Sequence, residues 1–371
     1  MRTRRALLAG LGTLMGGCAA RQTPLPPPAA LPRERLAPVR VSRDRVIREV
    51  VGLRPYRPSG FVVRKEALGG KTLVHNYGHG GGGISLSWGT ARLATALATE
   101  EGAAPTAVLG CGVAGLTAAR LLQLRGARVT IYTKDTPPDT TSNIAGGLWS
   151  PVTVYEKARR TDAFFQQFVD ASRFSFRYFQ YLTGRGYGVR WTPVYYLHPE
   201  PGRDSISPTG AMEGISDLFR DVRRVDGPDN PFGTPGGQRV MTLLIEPYTF
   251  LDALLRDFFA AGGKLEVREF RDRGEVEALP EPMIVNSTGL GARALFGDEE
   301  LMPIKGQLVF LLPQPEVDYM TVGPSGIYMF PRKDGILLGG THERGEWSLD
   351  PDPAQSERIL NDSARLFGAM A

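Results

Sequence analysis

The chain has 371 residues, of which 42% are hydrophobic and 22% charged. That is long enough for two domains with buried cores and too apolar for a disordered chain. Its net charge of +5 comes without a long basic tract, which argues against a nucleic-acid-binding protein, and two cysteines, Cys18 and Cys111, exclude a disulfide framework.

In chain order, Met1-Arg-Thr-Arg-Arg5 is positively charged, Ala6 to Gly17 is a short apolar run, and Cys18-Ala-Ala follows. This is export-signal chemistry, too short to span a bilayer stably. Thr3-Arg4-Arg5-Ala-Leu-Leu8 resembles a twin-arginine signal and Leu14-Met-Gly-Gly-Cys18 resembles a lipoprotein cleavage box. The expectation is therefore an exported protein of the periplasm or cell envelope, with Cys18 as the point of a lipid tether. Pro24, Pro26, Pro27, Pro28 and Pro32 make residues 19–38 a stiff linker. Arg45 to Val51 alternates like a strand, Gly52-Leu-Arg-Pro-Tyr-Arg-Pro58 reads as a proline-fixed loop, and Phe61-Val-Val-Arg64 is a further strand. Five glycines among the residues Gly78 to Gly83 cannot form a packing element. Their use is to let backbone come against a flat ligand, with the helical run Ile84 to Thr99 aiming its positive end at it.

Ala107-Val-Leu-Gly-Cys-Gly-Val-Ala-Gly-Leu116 reads as a buried strand that breaks into a glycine turn and opens a helix. Gly110, Gly112 and Gly115 carry the G-x-G-x-x-G spacing of a dinucleotide site: a tight turn, a close approach to pyrophosphate, and helix–strand packing. The helix runs to Leu124, Gly126 stops it, and Arg128-Val-Thr-Ile-Tyr132 is the second strand. Cys111 reads as a small buried side chain. An amphipathic helix is expected between Tyr155 and Gln180, with Phe164, Phe165, Phe168, Phe174, Phe176 and Phe179 as core residues. Strands follow at Arg190–Leu197 and Arg239–Glu246, a helix to Ala261, strands at Lys264–Arg268 and Met283–Gly289, and a last helix over Gln355–Phe367.

Several of these stretches together resemble the D-amino acid oxidase family. They are Gly52 to Pro58, His75-Asn-Tyr-Gly-His-Gly-Gly-Gly-Gly83, Thr140-Thr-Ser-Asn-Ile-Ala-Gly-Gly-Leu-Trp-Ser-Pro151, Val285-Asn-Ser-Thr-Gly-Leu-Gly291, Lys305-Gly-Gln307, Tyr328-Met-Phe-Pro331, and Leu337-Leu-Gly-Gly-Thr341 through Glu346-Trp347. The order is rotated, because in the family the first two of these come last. The resemblance therefore implies a circular permutation, with Glu100 to Pro105 as the linker that joins the old ends, which is physically inexpensive where termini lie close. It implies an α/β fold, an α+β two-domain flavoprotein with a Rossmann-like FAD-binding domain and a mixed-sheet substrate domain. The expected divisions are a signal (1–18), the linker (19–38), the displaced segment of the FAD domain (39–100), the FAD-binding βαβ unit (101–155), a first part of the substrate domain (156–248), a return to the FAD domain (249–302), and a second part of the substrate domain with the terminal helix (303–371).

The cofactor implied is FAD. Gly110, Gly112, Val113, Ala114 and Gly115 would face it at the glycine turn, and Gly80, Gly81, Gly82, Gly83, Ile84 and Ser85 would wrap the ring's pyrimidine end. Thr141, Ser142, Gly147 and Leu148 match phosphate and ring contacts of the family. Where a dinucleotide strand usually ends in an acid for the ribose, this chain has Lys134 before Asp135, so Asp135 is the candidate. The resemblance further implies oxidative deamination of a D-amino acid to the imino and then the 2-oxo acid, with hydride transfer to flavin N5 and reoxidation by oxygen to hydrogen peroxide. Arg54 would hold the substrate carboxylate through two parallel donors, Tyr328 would touch it through its hydroxyl, and the carbonyl of Gly81 would accept an N–H from the amine. A pocket tyrosine of some relatives falls at Pro324. Arg332 and Arg344 are candidates for an acidic substrate side chain. Of His75, His79 and His342, the first two share a glycine loop without Cys or carboxylate partners, so no metal is expected, and they should hydrogen-bond backbone around the flavin. Two readings of the same fold stay open, a D-amino acid dehydrogenase and an oxidase of glycine or another amine. A third is a non-catalytic anchored flavoprotein. The expected partners are a small D-amino acid and oxygen.

Overall fold

Alternating and continuous apolar runs build the strands, and in the computed structural model, which describes residues 35–370, they assemble into two sheets. The export signal, Cys18 and the linker up to Glu34 lie outside the described residues. The described chain opens with β1 (Val46–Tyr56), forms the hairpin β2 (Val62–Leu68) and β3 (Lys71–Tyr77), and passes through the glycine-rich loop into α1 (Gly83–Ala98). Then come β4 (Thr106–Leu109), α2 (Val113–Leu124) and β5 (Val129–Thr133), the expected strand–turn–helix–strand unit. The single turn α3 (Thr141–Ile144) precedes α4 (Asp162–Leu182), β6 (Val189–His198), β7 (Arg220–Arg224) and β8 (Gly236–Ile245). Next are α5 (Pro247–Ala260), β9 (Lys264–Val267), α6 (Arg273–Glu277), β10 (Met283–Asn286) and α7 (Gly291–Phe296). The chain closes with β11 (Met302–Leu311), β12 (Met320–Val322), β13 (Tyr328–Arg332), β14 (Gly335–Gly339), the two-residue β15 (Glu343–Arg344) and α8 (Pro353–Gly368).

Local chemistry explains several boundaries. Thr161 caps α4 by accepting from the Phe164 N–H, Asp352 caps α8 by accepting from the Ala354 N–H, and Pro247 occupies the first turn of α5. The smaller sheet has the order β2-β3-β10-β4-β5-β9; β10 is parallel to both β3 and β4, and β5 to β4 and β9. The larger sheet runs β1-β11-β14-β13-β12-β6-β8-β7, with β15 beside β11. One hydrophobic cluster joins Val74, Val108 and Val285 of the smaller sheet to Val194, Leu243 and Phe330 of the larger, and residues from Arg35 onward form one compact unit.

Two expectations are revised. The stretch Gly52 to Tyr56 is strand rather than loop: it continues β1 in antiparallel register with β11, pairing Gly52 with Gly306 and Arg54 with Ile304. Proline is tolerated there because β1 is an edge strand, whose outer side has no partner for an N–H. Residues 39–100 do not stay with one sheet, since β1 belongs to the larger and β2, β3 to the smaller. The extra hydrogen-bond ladder with β11 draws β1 away.

Helix α1 packs against α2 and α4. Gly89 permits the approach to α4, for a Cβ there would lie 1.9 Å from the Ala171 carbonyl oxygen. Trp88 stacks on Tyr178 at 3.9 Å between ring centroids beside this contact. Gly89→Ala should therefore lower the unfolding free energy by about 1–3 kcal/mol in a denaturant titration, the usual cost of forcing extra volume into a packed core. Gly70→Ala, with open space around its Cβ, should change it little.

Candidate active site

The parallel strands β3, β10 and β4 lie side by side, so their C-terminal ends meet at one edge of the smaller sheet. The glycine-rich loop leaves β3, Ser287-Thr288-Gly289 leaves β10, and the Gly110 turn leaves β4. All three segments line one cavity of about 580 Å³. Ends of parallel strands in an open α/β sheet are where such folds bind ligands. The glycine-rich loop and the Gly110 turn thus share one wall.

The Gly110 turn has the geometry its spacing called for. Gly110 has φ +100°, its N–H donates to the Tyr132 carbonyl at 2.7 Å, and a Cβ would meet the Ser287 carbonyl oxygen at 2.5 Å. A Cβ on Gly115 would meet the Gly110 carbonyl oxygen at 2.0 Å, so Gly115 serves packing and does not line the cavity, whereas Gly112, Val113 and Ala114 do. The Val113 N–H donates to the Ser142 hydroxyl at 3.0 Å, which brings α3 against the start of α2. Thr141 and Ser142 line the cavity beside that helix end, where free N–H groups favour an anion.

Along the β3 loop, Gly80, Gly81, Gly83 and Ile84 line the cavity, and Gly82 and Ser85 do not. Ser85 is tied elsewhere: its hydroxyl donates to the Leu148 carbonyl at 3.4 Å and accepts from the Ser150 N–H at 3.0 Å, and its carbonyl accepts from Trp149 Nε1 at 3.1 Å. Gly147 and Leu148 sit back from the cavity as well, since the Gly147 carbonyl accepts from the Ile245 N–H at 2.8 Å and Leu148 bridges to Leu244. Ser85, Gly147 and Leu148 therefore clamp α1 to the end of β8. At the far end, Tyr132, Thr133, Lys134, Asp135, Arg268, Glu269 and Phe270 form the wall.

At the opposite end stand Arg54 and Tyr328. Arg54 Nη1 donates to the Thr341 carbonyl and Nη2 to the Tyr328 hydroxyl, each at 3.4 Å, and among the described residues it makes no ion pair. Gly306 leaves room for the guanidinium, because a Cβ there would lie 2.3 Å from Nη1. Gly339 and Gly340 likewise leave room for the Tyr328 ring, which stacks on Phe330 at 5.0 Å. The other arginines nearby are committed. Arg57 bonds Asp298 and Glu300 at 2.7 Å each. Arg332 is buried against Asp334 and the Ala145 carbonyl, both at 2.8 Å, and Arg344 pairs with Glu156 at 2.6 Å over the Tyr56 ring. Neither Arg332 nor Arg344 lines the cavity, so the expectation that they meet a substrate side chain fails on their existing partners. Pro324 lines a separate surface groove with Thr234 and Leu366.

Asn76 and Ser287 stand inside two of the motifs, yet the sequence predicts no role for either. Both line the cavity, and Asn76 Oδ1 and Ser287 Oγ are buried without a hydrogen-bond partner. Buried polar atoms seldom stay unpaired, so these fit a polar ligand in the cavity. Together with the three-turn cradle, they fit a dinucleotide. His75 and His79 bond side chains rather than backbone: His75 Nδ1 accepts from Asn286 Nδ2 at 3.1 Å, and His79 Nε2 meets Thr90 Oγ1 at 3.0 Å; against expectation His75 also has a carboxylate near it, Glu66 Oε2 at 3.5 Å from Nε2. Short polar side chains on neighbouring elements reach these rings first. Among the described residues no group of His, Cys, Asp and Glu could hold a metal ion. Cys111 is buried, which pushes its thiol up to about 12.

Burial pushes the His79 imidazole down to about 4 from 6.5, so it is neutral in the folded protein at neutral pH. The unfolded chain takes up this proton first, and the stability tied to neutral His79 is complete above pH 6.5 and lost as pH falls toward 4. Replacing it in His79→Gln should flatten the unfolding free energy over that window by up to about 3 kcal/mol in denaturant titrations at several pH values. An unchanged slope would show that His79 titrates normally.

The family model described as DAO, FAD dependent oxidoreductase, matches residues 12–97 and 106–371. A D-amino-acid oxidase of Rubrobacter xylanophilus is 32% identical over 269 residues, 70% of this chain and 76% of that protein. A D-amino-acid oxidase of Streptomyces coelicolor is 32% identical over 266 residues, with 70% and 76% covered. Among solved structures, glycine oxidase from Bacillus cereus superposes with a TM-score of 0.51 at 17% identity, over 72% of this chain and 78% of that one, which bears on the fold alone. The cavity's glycine cradle and unpaired polar atoms agree with the cofactor named in the family description, and the chain belongs to the FAD dependent oxidoreductase family with FAD as its cofactor.

Proposed function

We propose that the protein oxidises the Cα–N bond of a D-amino acid, yielding the imino acid that water converts to the 2-oxo acid. The observation that carries this reading is Arg54: a guanidinium on the cavity wall that, among the described residues, has no carboxylate partner and is held by long hydrogen bonds to two neutral oxygens. A planar fork with unspent donors is suited to a carboxylate, which it grips in one plane. Tyr328, bonded to Arg54 and fixed by its stack on Phe330, would add a hydroxyl to the same carboxylate. Burial first, and then the charges of Arg54 and Arg344, hold the nearby His342 below the ordinary imidazole range, which keeps it from adding a further positive charge there.

FAD, when bound, would accept a hydrogen and its electron pair from Cα and pass the electrons to oxygen, giving hydrogen peroxide. The chain's part is placement. Gly80, Gly81 and Gly83 present backbone rather than side chains to the cavity. The start of α1 there offers the positive end of a helix to an anionic ring. The Gly81 N–H is already given to the Thr153 carbonyl at 3.0 Å, which fixes the loop so that its carbonyl can take an N–H of the substrate amine. Among the described residues of the cavity no side chain is placed as a base at this end. His79 is neutral but engaged with Thr90, so the amine would enter unprotonated. The curated relatives named D-amino-acid oxidase favour D-amino acids over glycine or L-amino acids as the substrate.

Holoenzyme assayed for peroxide over D-amino acids, L-amino acids and glycine should respond to D-amino acids. Turnover without peroxide would indicate a dehydrogenase, and activity confined to glycine would overturn the substrate assignment. Arg54→Ala should keep its flavin spectrum while kcat/KM falls by the roughly 2–5 kcal/mol lost when a charge pair is truncated. Undiminished turnover would remove Arg54 from the site.

We further infer that the chain is circularly permuted relative to its relatives. The family match breaks between residues 97 and 106, where the linker Glu100–Pro105 joins α1 to β4, and the aligned length of the relatives is about that of the second matched stretch. The segment before β1 lies against the end of α8. Val39 packs with Ile359 and Phe367, and the Tyr319 hydroxyl donates to the Ala37 carbonyl at 2.8 Å and meets Met370 Sδ at 3.6 Å. A short junction would therefore reconnect them. A relinked variant that opens the chain within 100–105 and joins the end of α8 to the segment before β1 should fold and retain FAD. Loss of both would count against the permutation.

A further inference from the structure

In dinucleotide-binding folds the strand after the glycine-turn helix ends in an acid that holds the adenosine ribose. Here β5 ends at Thr133 and the next residue is Lys134, a cation on the cavity wall. The neighbouring strand supplies the missing charge. The Arg268 N–H donates to the Thr133 carbonyl at 2.7 Å, which locks the exit of β9 alongside the exit of β5 and brings residue 269 beside residue 134. Lys134 Nζ then pairs with Glu269 Oε1 at 3.0 Å, and both side chains line the cavity. Arg268 lies over the Phe270 ring at 4.8 Å and Phe270 meets Tyr132 edge-on at 6.0 Å, so the same exit also carries an aromatic surface. Asp135 lines the cavity too, but the β5 exit turns back at this point, the Asp135 carbonyl accepting from the Thr133 hydroxyl at 2.6 Å.

We propose that Glu269, steered by Lys134, holds the ribose hydroxyls of the FAD adenosine, the ribose acid having moved from the end of β5 to the end of β9. A carboxylate accepts from both vicinal hydroxyls and keeps a lone pair for the Lys134 ammonium, so the ion pair and the ribose contact are compatible. The ion pair with Lys134 fixes the orientation of the Glu269 carboxylate.

The test reads cofactor affinity rather than turnover, so it stands or falls separately from the substrate assignment. FAD release from the holoenzyme is followed by flavin fluorescence, with FAD and with analogues whose adenosine lacks the 2′- or the 3′-hydroxyl. Glu269→Gln should weaken FAD binding about 10- to 100-fold, the range for a lost charge-assisted hydrogen bond. In the unaltered protein at least one deoxy analogue should lose a similar factor, and in Glu269→Gln that analogue should lose little more. The double exchange Lys134→Glu with Glu269→Lys, which returns the acid to β5, should recover affinity to within a few-fold of the parent, whereas Asp135→Asn should leave it unchanged. The proposal is overturned if Glu269→Gln binds FAD as the parent does, if the deoxy analogues are penalised equally in both proteins, or if Asp135→Asn carries the loss instead.

Discussion

The parallel pairing of β10 with β3 on one side and β4 on the other is the constraint on which the rest depends. In register, Asn286 stands beside His75 and also beside Leu109, so three strand ends come level. Each releases its chain into a turn with little side-chain bulk. Backbone N–H groups are thereby concentrated at one edge, and the helix starts of α1 and α2 add their partial charges. Without the β10 ladder the glycine loop and the Gly110 turn would belong to different walls.

Charge placement divides the arginines into two kinds. Arg57, Arg332 and Arg344 are neutralised by carboxylates and serve the frame. Asp298 illustrates the balance: burial alone would raise its pKa, but the Tyr77 hydroxyl and the Arg57 guanidinium outweigh that and hold it below the usual carboxylate range. Arg54 differs in that its hydrogen bonds, among the described residues, go to neutral oxygens, and it is given its place by the absence of a Cβ at Gly306. A cation kept without a counter-ion at a cavity wall is electrostatically ready for an anionic ligand.

The larger sheet contributes the Arg54 and Tyr328 end of the cavity and the smaller sheet the end with the glycine turns, and β1 links them. It begins a run that pairs with β11 through Tyr56 and then turns into β2 of the other sheet. Because Arg54 sits within that ladder rather than on a free turn, its backbone position is held by hydrogen bonds on β11. Rigid strands position functional groups more narrowly than loops do.

Much of this was legible in the residues alone. Helix and strand periodicity placed α2, α5, α8, β4 and β8 within a few residues and α4 with a start seven residues early, and glycine spacing marked the nucleotide turn, because these depend on contacts close in sequence. The strand character of Gly52–Tyr56 was not legible, since it arises from pairing with a strand some 250 residues away. Nor were the retreat of Ser85, Gly147 and Leu148 from the cavity, the commitment of Arg332 and Arg344 to carboxylates, or the pairing of Lys134 with Glu269. The sequence by itself determined which segments carry a dinucleotide cradle, whereas the absence of a carboxylate partner at Arg54, among the described residues, was decided by the tertiary structure. Tertiary structure decided which of those atoms face the cavity, because a side chain's direction is set by the nearest donor or acceptor in space, and that neighbour comes from another part of the chain.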